Sequence, residues 1–230
     1  MTSDSKPAIP LRGVPDAVVV TVIIVALAWV TLAGLIIAPY NQLKDTGRKP
    51  VLPIQSLPQR PVMQLAFARH QADVNAVLDV GHDPDKLKIK AIETGNWLDS
   101  MALVPGYTLL LVALTLLIAR GSRYIGAGLF HAGVVFATTI ALADLAENYG
   151  IMRVLIATGN AESVSAWVIR LMGASAALKW LLLGLLGIGL GVVASLQEQR
   201  WRRWLSLLLL ATGLLTLAPI WRHAVDRFFG

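Results

Sequence analysis

The apolar positions of this chain fall into long unbroken runs rather than alternating stripes. Ala17 to Ala38 carries no charge, nor does Met101 to Ala119, and Tyr124 to Ala143 holds His131 as its one side chain that titrates near neutrality. Leu171 to Leu196 contains a single Lys179, and Trp204 to Trp221 is uncharged, shorter and ends near the helix-limiting Pro219. Runs of about 20 apolar residues match the roughly 30 Å of bilayer hydrocarbon at 1.5 Å per helical residue. Barrel strands would alternate lipid-facing and lumen-facing residues over about ten positions, and these runs do not. The pattern predicts an all-α polytopic membrane bundle, about five transmembrane helices plus an amphipathic extramembrane helix.

The predicted order is a cytoplasmic tail over 1–16, a first span over 17–38, an extracytoplasmic segment over 39–98, a second span over 99–119, a third with its extension over 124–157, a fourth with its extension over 161–196, a fifth over 204–221 and a tail over 222–230. The first run exceeds a signal-peptide core, and Ile37-Ala38-Pro39 is a poor cleavage site, so it reads as an uncleaved anchor. Pro50, Pro53, Pro58 and Pro61 predict an extended stretch after it. From Val62 to Val80 a surface-lying amphipathic helix is expected. Met63, Phe67, Val74, Val77 and Leu78 share its apolar face with His70, Asp73 sits at the border, and Gln64, Arg69, Asn75 and Asp79 lie opposite. Gly81 ends it, and Asp83-Pro84 starts a helix that should feed straight into the second span. Gly159 and Asn160 supply a stop and a new N-cap between spans three and four. Gly184, Gly187 and Gly191 share one face, as do Gly133, Ala137 and Ala141, which predicts close helix approach rather than phosphate binding.

Composition changes the picture mainly through charge. A chain 56% hydrophobic, 15% charged and of mean hydropathy +0.64 does not have the polar surface of a soluble domain. The net charge of +6 is scattered between spans, which argues for membrane topology rather than nucleic acid. With the amino terminus in the cytoplasm, the inner segments hold Lys6, Arg12, Arg120, Arg123, Arg200, Arg202 and Arg203 against Arg153, Arg222 and Arg227 in the short outer ones. The long first connection is also basic, at the roughly 60-residue length where the charge rule weakens. Trp201, Trp204 and Trp221 fit interfacial anchors. A multi-pass protein of a bacterial cytoplasmic membrane is expected, its partners being membrane lipids and either a second copy or another membrane protein. No cysteine is present, so thiolate chemistry is excluded.

The chemistry concentrates in Asp144-Leu145-Ala146-Glu147-Asn148, whose spacing puts Asp144, Glu147 and Asn148 on one helical face. Counting from the turn near Gly121 and Ser122 brings Asp99 level with Asp144, with Tyr107 about two turns deeper than Asp99. Counting from the turn near Gln199 places Lys179 at the height of Asp144. Counting from Gly159 instead puts Lys179 about five residues deeper and matches Arg170 to Asn148. Both basic residues stay open as partners of an acidic cluster at the outer membrane boundary.

Leu98-Asp99, Tyr107, Asp144-Leu145-Ala146-Glu147-Asn148 and Lys179-Trp180, over roughly Leu65 to Leu183, resemble small multi-spanning bacterial membrane proteins with a Leu-Asp entrance to one span and an Asp-Leu-x-Glu-Asn in the next. That resemblance implies a helical bundle and no particular activity. Three roles suit the cluster: a network that satisfies itself and fixes helix packing, a site for a cation or lipid headgroup with or without catalysis, and a proton or ion relay in an oligomer. The first is preferred, because no HExxH, GxSxG or evident nucleophile points to an enzyme. No cofactor or metal is assigned. His70 and His82 read as solvated histidines rather than zinc ligands, His131 as bonded to a neighbouring helix, and Arg200, Arg202 and Arg203 as topological anchors.

Overall fold

We describe the protein from a computed structural model covering residues 15–41, 61–78, 87–122, 125–197 and 199–229, without the side chains of 41, 61, 87 and 219–229. The described residues form α1 (Asp16–Asn41), α2 (Pro61–Ala66), α3 (Gln71–Leu78), α4 (Leu87–Leu98), a π-helical segment (Asp99–Leu103), α5 (Val104–Arg120), α6 (Gly126–Gly159), α7 (Ala166–Ser195) and α8 (Arg200–Phe229), with no strand among them. Most of the expected proline-bearing stretch, together with Gly81 and Asp83-Pro84, lies outside the described residues.

Among the described residues, four helical stretches are long and apolar enough to cross a membrane: Asp16–Tyr40, Lys88–Arg120, Gly126–Gly159 and Ala166–Ser195. Their apolar residues face outward as well as inward. Leu35 is 66% exposed and Leu142 61%, an outer surface that water would not tolerate over such an area. The expected fifth run, 204–221, falls within α8, whose last side chains lie outside the described residues.

The second span is longer than its apolar run because α4, the π segment and α5 are continuous. A π turn leaves the regular i to i−4 ladder, and such segments gather at functional sites. Here it carries Asp99 and Ser100, and Trp29 of α1 donates from Nε1 to the carbonyl of Ala102 at 2.9 Å.

Small residues set the interhelix distances, as their spacing predicts. A Cβ on Gly187 would meet Gly213 Cα at 3.0 Å, and one on Gly213 would meet Ile188 N at 2.8 Å and Gly184 O at 2.9 Å, so the α7 and α8 backbones nearly touch. Between α5 and α6, Gly133 leaves room for the side chain of Thr115, which is fully buried. Below the middle of the bundle the interior is apolar, with Ile118, Ile140, Leu186 and Leu190 packed together.

Where one amphipathic helix is expected over 62–80, there are two short ones with a break at 67–70. The break has a local cause. Asp73 Oδ2 accepts the backbone N–H groups of Arg69 at 2.8 Å and His70 at 3.1 Å, a capping arrangement that starts α3 afresh. Nor does the segment simply lie on a surface. Leu65, Val74, Val77 and Leu78 are buried with Ile92 of α4, Ile151, Val154 and Leu155 of α6, and Ile169 and Met172 of α7. His70, expected on the apolar side, is exposed.

The junction after α6 also departs from expectation. Asn160 is the C-cap of α6 rather than the N-cap of α7. Glu162 N–H donates to Ala157 O at 2.8 Å and Ala161 N–H to Thr158 O at 3.1 Å, the paired bonds of a Schellman ending. The left-handed position is taken by Ala161 at φ 59°, and α7 starts only at Ala166, after Ser165. A left-handed non-glycine residue costs roughly 1–2 kcal/mol, partly offset in a glycine variant by the greater freedom of its unfolded chain. Ala161→Gly should therefore stabilise the protein by roughly 0.5–1 kcal/mol. An unchanged or lower thermal midpoint in detergent would contradict this.

At the opposite rim, Arg120 pairs with Asp16 at 3.1 Å. Gln197 donates to the carbonyl of Ile118 at 2.9 Å and accepts from buried Arg202, whose guanidinium lies 5.0 Å from the centre of the Trp201 ring. Arg200 and Arg203 are exposed there.

Candidate functional site

In an apolar bundle, a buried polar side chain needs a partner, because an unmet one costs several kcal/mol. One place gathers four of the nine buried polar residues among those described, Asn96, Asp144, Glu147 and Asn148. Asp144 and Glu147 are a turn apart on α6, and Lys179 of α7 reaches both: Nζ lies 2.7 Å from Asp144 Oδ1 and 2.5 Å from Glu147 Oε2. Tyr107 of α5 donates its hydroxyl to Asp144 Oδ2 at 2.6 Å. Asp144 thus ties three helices together. The residues of this ionic triad are almost completely buried, with side-chain exposures of 5% for Asp144 and 12% for Lys179.

Asn148, next to Glu147 and one turn from Asp144 on α6, faces the second span. Its Nδ2 donates to Asp99 Oδ2 at 2.8 Å and to Ser100 Oγ at 3.0 Å, and its own carbonyl accepts from Asn96 Nδ2 at 3.0 Å. Asn96 is 3% exposed, and its Oδ1 is buried without a hydrogen-bond partner.

These groups line a cavity of about 270 Å³, near the lower end of the range for small-molecule sites. Asn96, Asp99, Tyr107, Asp144, Glu147, Asn148 and Lys179 make its polar part. Ile37 of α1, Val62, Met63, Ala66 and Phe67 beside α2, and Trp180 and Leu183 of α7 make the apolar part. Ala66 and Phe67 pack on Ala176, with Trp180 alongside, so the α2 segment closes over the site from the α7 side. The Trp180 ring also stands 5.5 Å from Lys179 Nζ, within cation–π range.

Of the seven residues expected in the cluster, six line this cavity: Asp99, Tyr107, Asp144, Glu147, Asn148 and Lys179. Arg170 does not. It is exposed, and the basic partner of the carboxylates is Lys179. The two helix counts disagreed by about five residues because α7 was expected from 161 and begins at Ala166, so the intervening residues add no helical rise. Asn96 and Ser100 were missed. They sit three residues before and one after Asp99, and their spacing to it was the available signal. His131 is exposed and bonds the Ala127 carbonyl of its own helix at 2.7 Å, not a neighbouring helix. Among the described residues no three His, Asp, Glu or Cys side chains are grouped so as to hold a metal ion. His82 lies outside them.

The arrangement can do two things chemically. The triad pairs its charges, with Tyr107 bonded to Asp144, and braces α5, α6 and α7, while Glu147 Oε2 is held by the charge of Lys179 without a hydrogen bond. The remainder places the carboxylate of Asp99 beside an apolar wall, with the buried, unpartnered Oδ1 of Asn96 nearby. No protein-family model, curated protein or solved structure matches this chain.

Proposed function

We propose that this chain is a five-span protein of a bacterial cytoplasmic membrane, amino terminus inside, whose working centre is the cavity beside Asp99. In this reading the cavity binds a small amphiphile presented at the outer side of the bilayer, and the Asp144, Lys179 and Glu147 triad is the brace that keeps its walls in place. The carrying observation is convergence: side chains from α4, the π segment, α5, α6 and α7 meet at one cavity that also has an apolar wall.

Depth supports the outer placement. Asp144 lies 18 residues from the start of α6 at Gly126, about 27 Å by helical rise, near the far edge of a hydrocarbon layer of roughly 30 Å. The arginine-rich rim with Arg120, Arg200, Arg202 and Arg203 is then cytoplasmic. Binding is favoured over ion passage because the bundle between cavity and inner rim is filled by Ile118, Ile140, Leu186 and Leu190. A relay would need polar groups there.

The absence of cysteine allows a direct test. Met63 is partly exposed and lines the cavity. Met63→Cys should react with a membrane-impermeant thiol reagent in right-side-out spheroplasts and be protected in inverted vesicles. Labelling only in inverted vesicles would reverse the orientation. A thiol that reacts from neither side, yet reacts after denaturation, would overturn the open cavity.

A further inference from the structure

The hydrogen-bond inventory of the cavity is unbalanced. On the donor side, Tyr107 gives its one hydrogen to Asp144, Asn148 gives both amide hydrogens to Asp99 and Ser100, Asn96 donates to the Asn148 backbone carbonyl, and Lys179 donates to Asp144 and forms an ion pair with Glu147. On the acceptor side, Asn96 Oδ1 and Glu147 Oε2 are buried without a hydrogen-bond partner among the described residues, and Asp99 accepts from Asn148 through Oδ2. Charge is unbalanced in the same sense: among the described residues lining the cavity, Asp99, Asp144 and Glu147 carry three carboxyl groups and Lys179 is the single basic side chain. A complementary ligand brings donors and positive charge, and an anion is disfavoured on both counts.

Two features narrow the ligand further. The acidic groups are too dispersed for a metal ion, since no three of them form a metal-holding group among the described residues. A hard cation needs such a compact oxygen shell. The rest of the cavity is hydrocarbon and aromatic, with Val62, Met63, Phe67 and Leu183 on its wall and the Trp180 ring beside the polar end. An ammonium is stabilised both by carboxylate and by an aromatic face, and an attached alkyl chain is stabilised by the apolar wall.

We propose that the cavity takes the protonated primary amine of an amphiphile, with the ammonium at the carboxylate of Asp99 and the alkyl portion along Val62, Met63 and Phe67. The inference rests on the cavity being a binding site and adds the class of its ligand. Two sources carry this chemistry, a single-chain alkylamine and an ethanolamine-headed phospholipid.

Binding to the purified full chain in a non-ionic detergent, followed by mass spectrometry of the intact complex, distinguishes these cases. Dodecylamine should bind one-to-one and at least tenfold more tightly than dodecanol, and Asp99→Asn should abolish that preference. Dodecyltrimethylammonium, which has charge but no N–H, should bind several-fold more weakly than dodecylamine. Lysophosphatidylethanolamine binding as tightly as dodecylamine assigns the phospholipid source, and dodecylamine alone assigns the single-chain amine. Protection supplies a second measurement that does not require the Asp99 variant: dodecylamine should slow labelling of Met63→Cys at least fivefold, and equimolar dodecanol should not. Equal binding of dodecanol and dodecylamine overturns the amine assignment and leaves the cavity reading intact. Failure of both to bind, with no protection of Met63→Cys, overturns the two together.

Discussion

Replacing Lys179 by methionine should destabilise the protein more than any other single change at the cavity, by about 3–5 kcal/mol. Lys179 Nζ is the shared partner of Asp144 Oδ1 and Glu147 Oε2. Methionine of similar length would leave two carboxylates a turn apart in an apolar interior, each without its cation. Removing one member of a buried ionic group leaves the others uncompensated, which is why truncation is costly even where the intact group adds little net stability. The same argument makes the triple variant Lys179→Met, Asp144→Asn, Glu147→Gln recover much of the loss, because all three charges leave together. Thermal unfolding in detergent measures both. If the single and triple variants melt alike and near the wild type, the triad is not the brace described above.

Gly213→Leu should have the second largest effect, about 3 kcal/mol or detachment of α8 from α7. Overpacking usually costs 1–3 kcal/mol because side chains move aside. At Gly213 the obstacles are Ile188 N and Gly184 O, which are backbone atoms, so relief requires the helices to separate. Gly189 on the same α7 is the internal control, since nothing stands within 4 Å of a Cβ placed there. Gly189→Leu should be neutral or up to about 1 kcal/mol stabilising through helix propensity. Equal losses at the two positions would show that helix contact is not what Gly213 serves.

How much of this was legible in the sequence follows from what each feature depends on. Uncharged runs near 20 residues located the apolar helices, because crossing hydrocarbon constrains every residue of the run. Asp99, Tyr107, Asp144, Glu147, Asn148 and Lys179 could be brought together by counting helical rise from the inner turns, which are short. The count failed only across the outer junction, where Arg170 was weighed against Lys179. There a Schellman ending postpones α7 to Ala166, and its left-handed position is taken by Ala161 rather than by a glycine, so that Gly159 marks the stop and not the length of the junction. The π segment was equally silent, since Asp99–Leu103 has no composition that distinguishes it from α-helix. The division of the 62–80 region into α2 and α3 depends on Asp73 capping backwards onto Arg69 and His70. Helical periodicity alone cannot reveal that, although Phe67, Val74, Val77 and Leu78 were recognisable as its apolar side. Asn96 passed unnoticed because a single amide before a span carries little signal until the Asn148 carbonyl is seen opposite it.

One dimension of α6 gives the proposed placement a thermodynamic asymmetry. At 34 residues it is roughly 51 Å long, about 20 Å taller than the hydrocarbon layer. Its turns with Ile151, Val154 and Leu155 pack with α3 and α4, which in that placement is where water would be the solvent, while the lower turns would pack in lipid. In that placement the cluster beyond the cavity would be held by expulsion of water and weaken on cooling or in urea, whereas the lower bundle would be held by close packing that owes nothing to water. Conditions in the aqueous phase can thus loosen the entrance while the membrane-embedded foundation stays assembled.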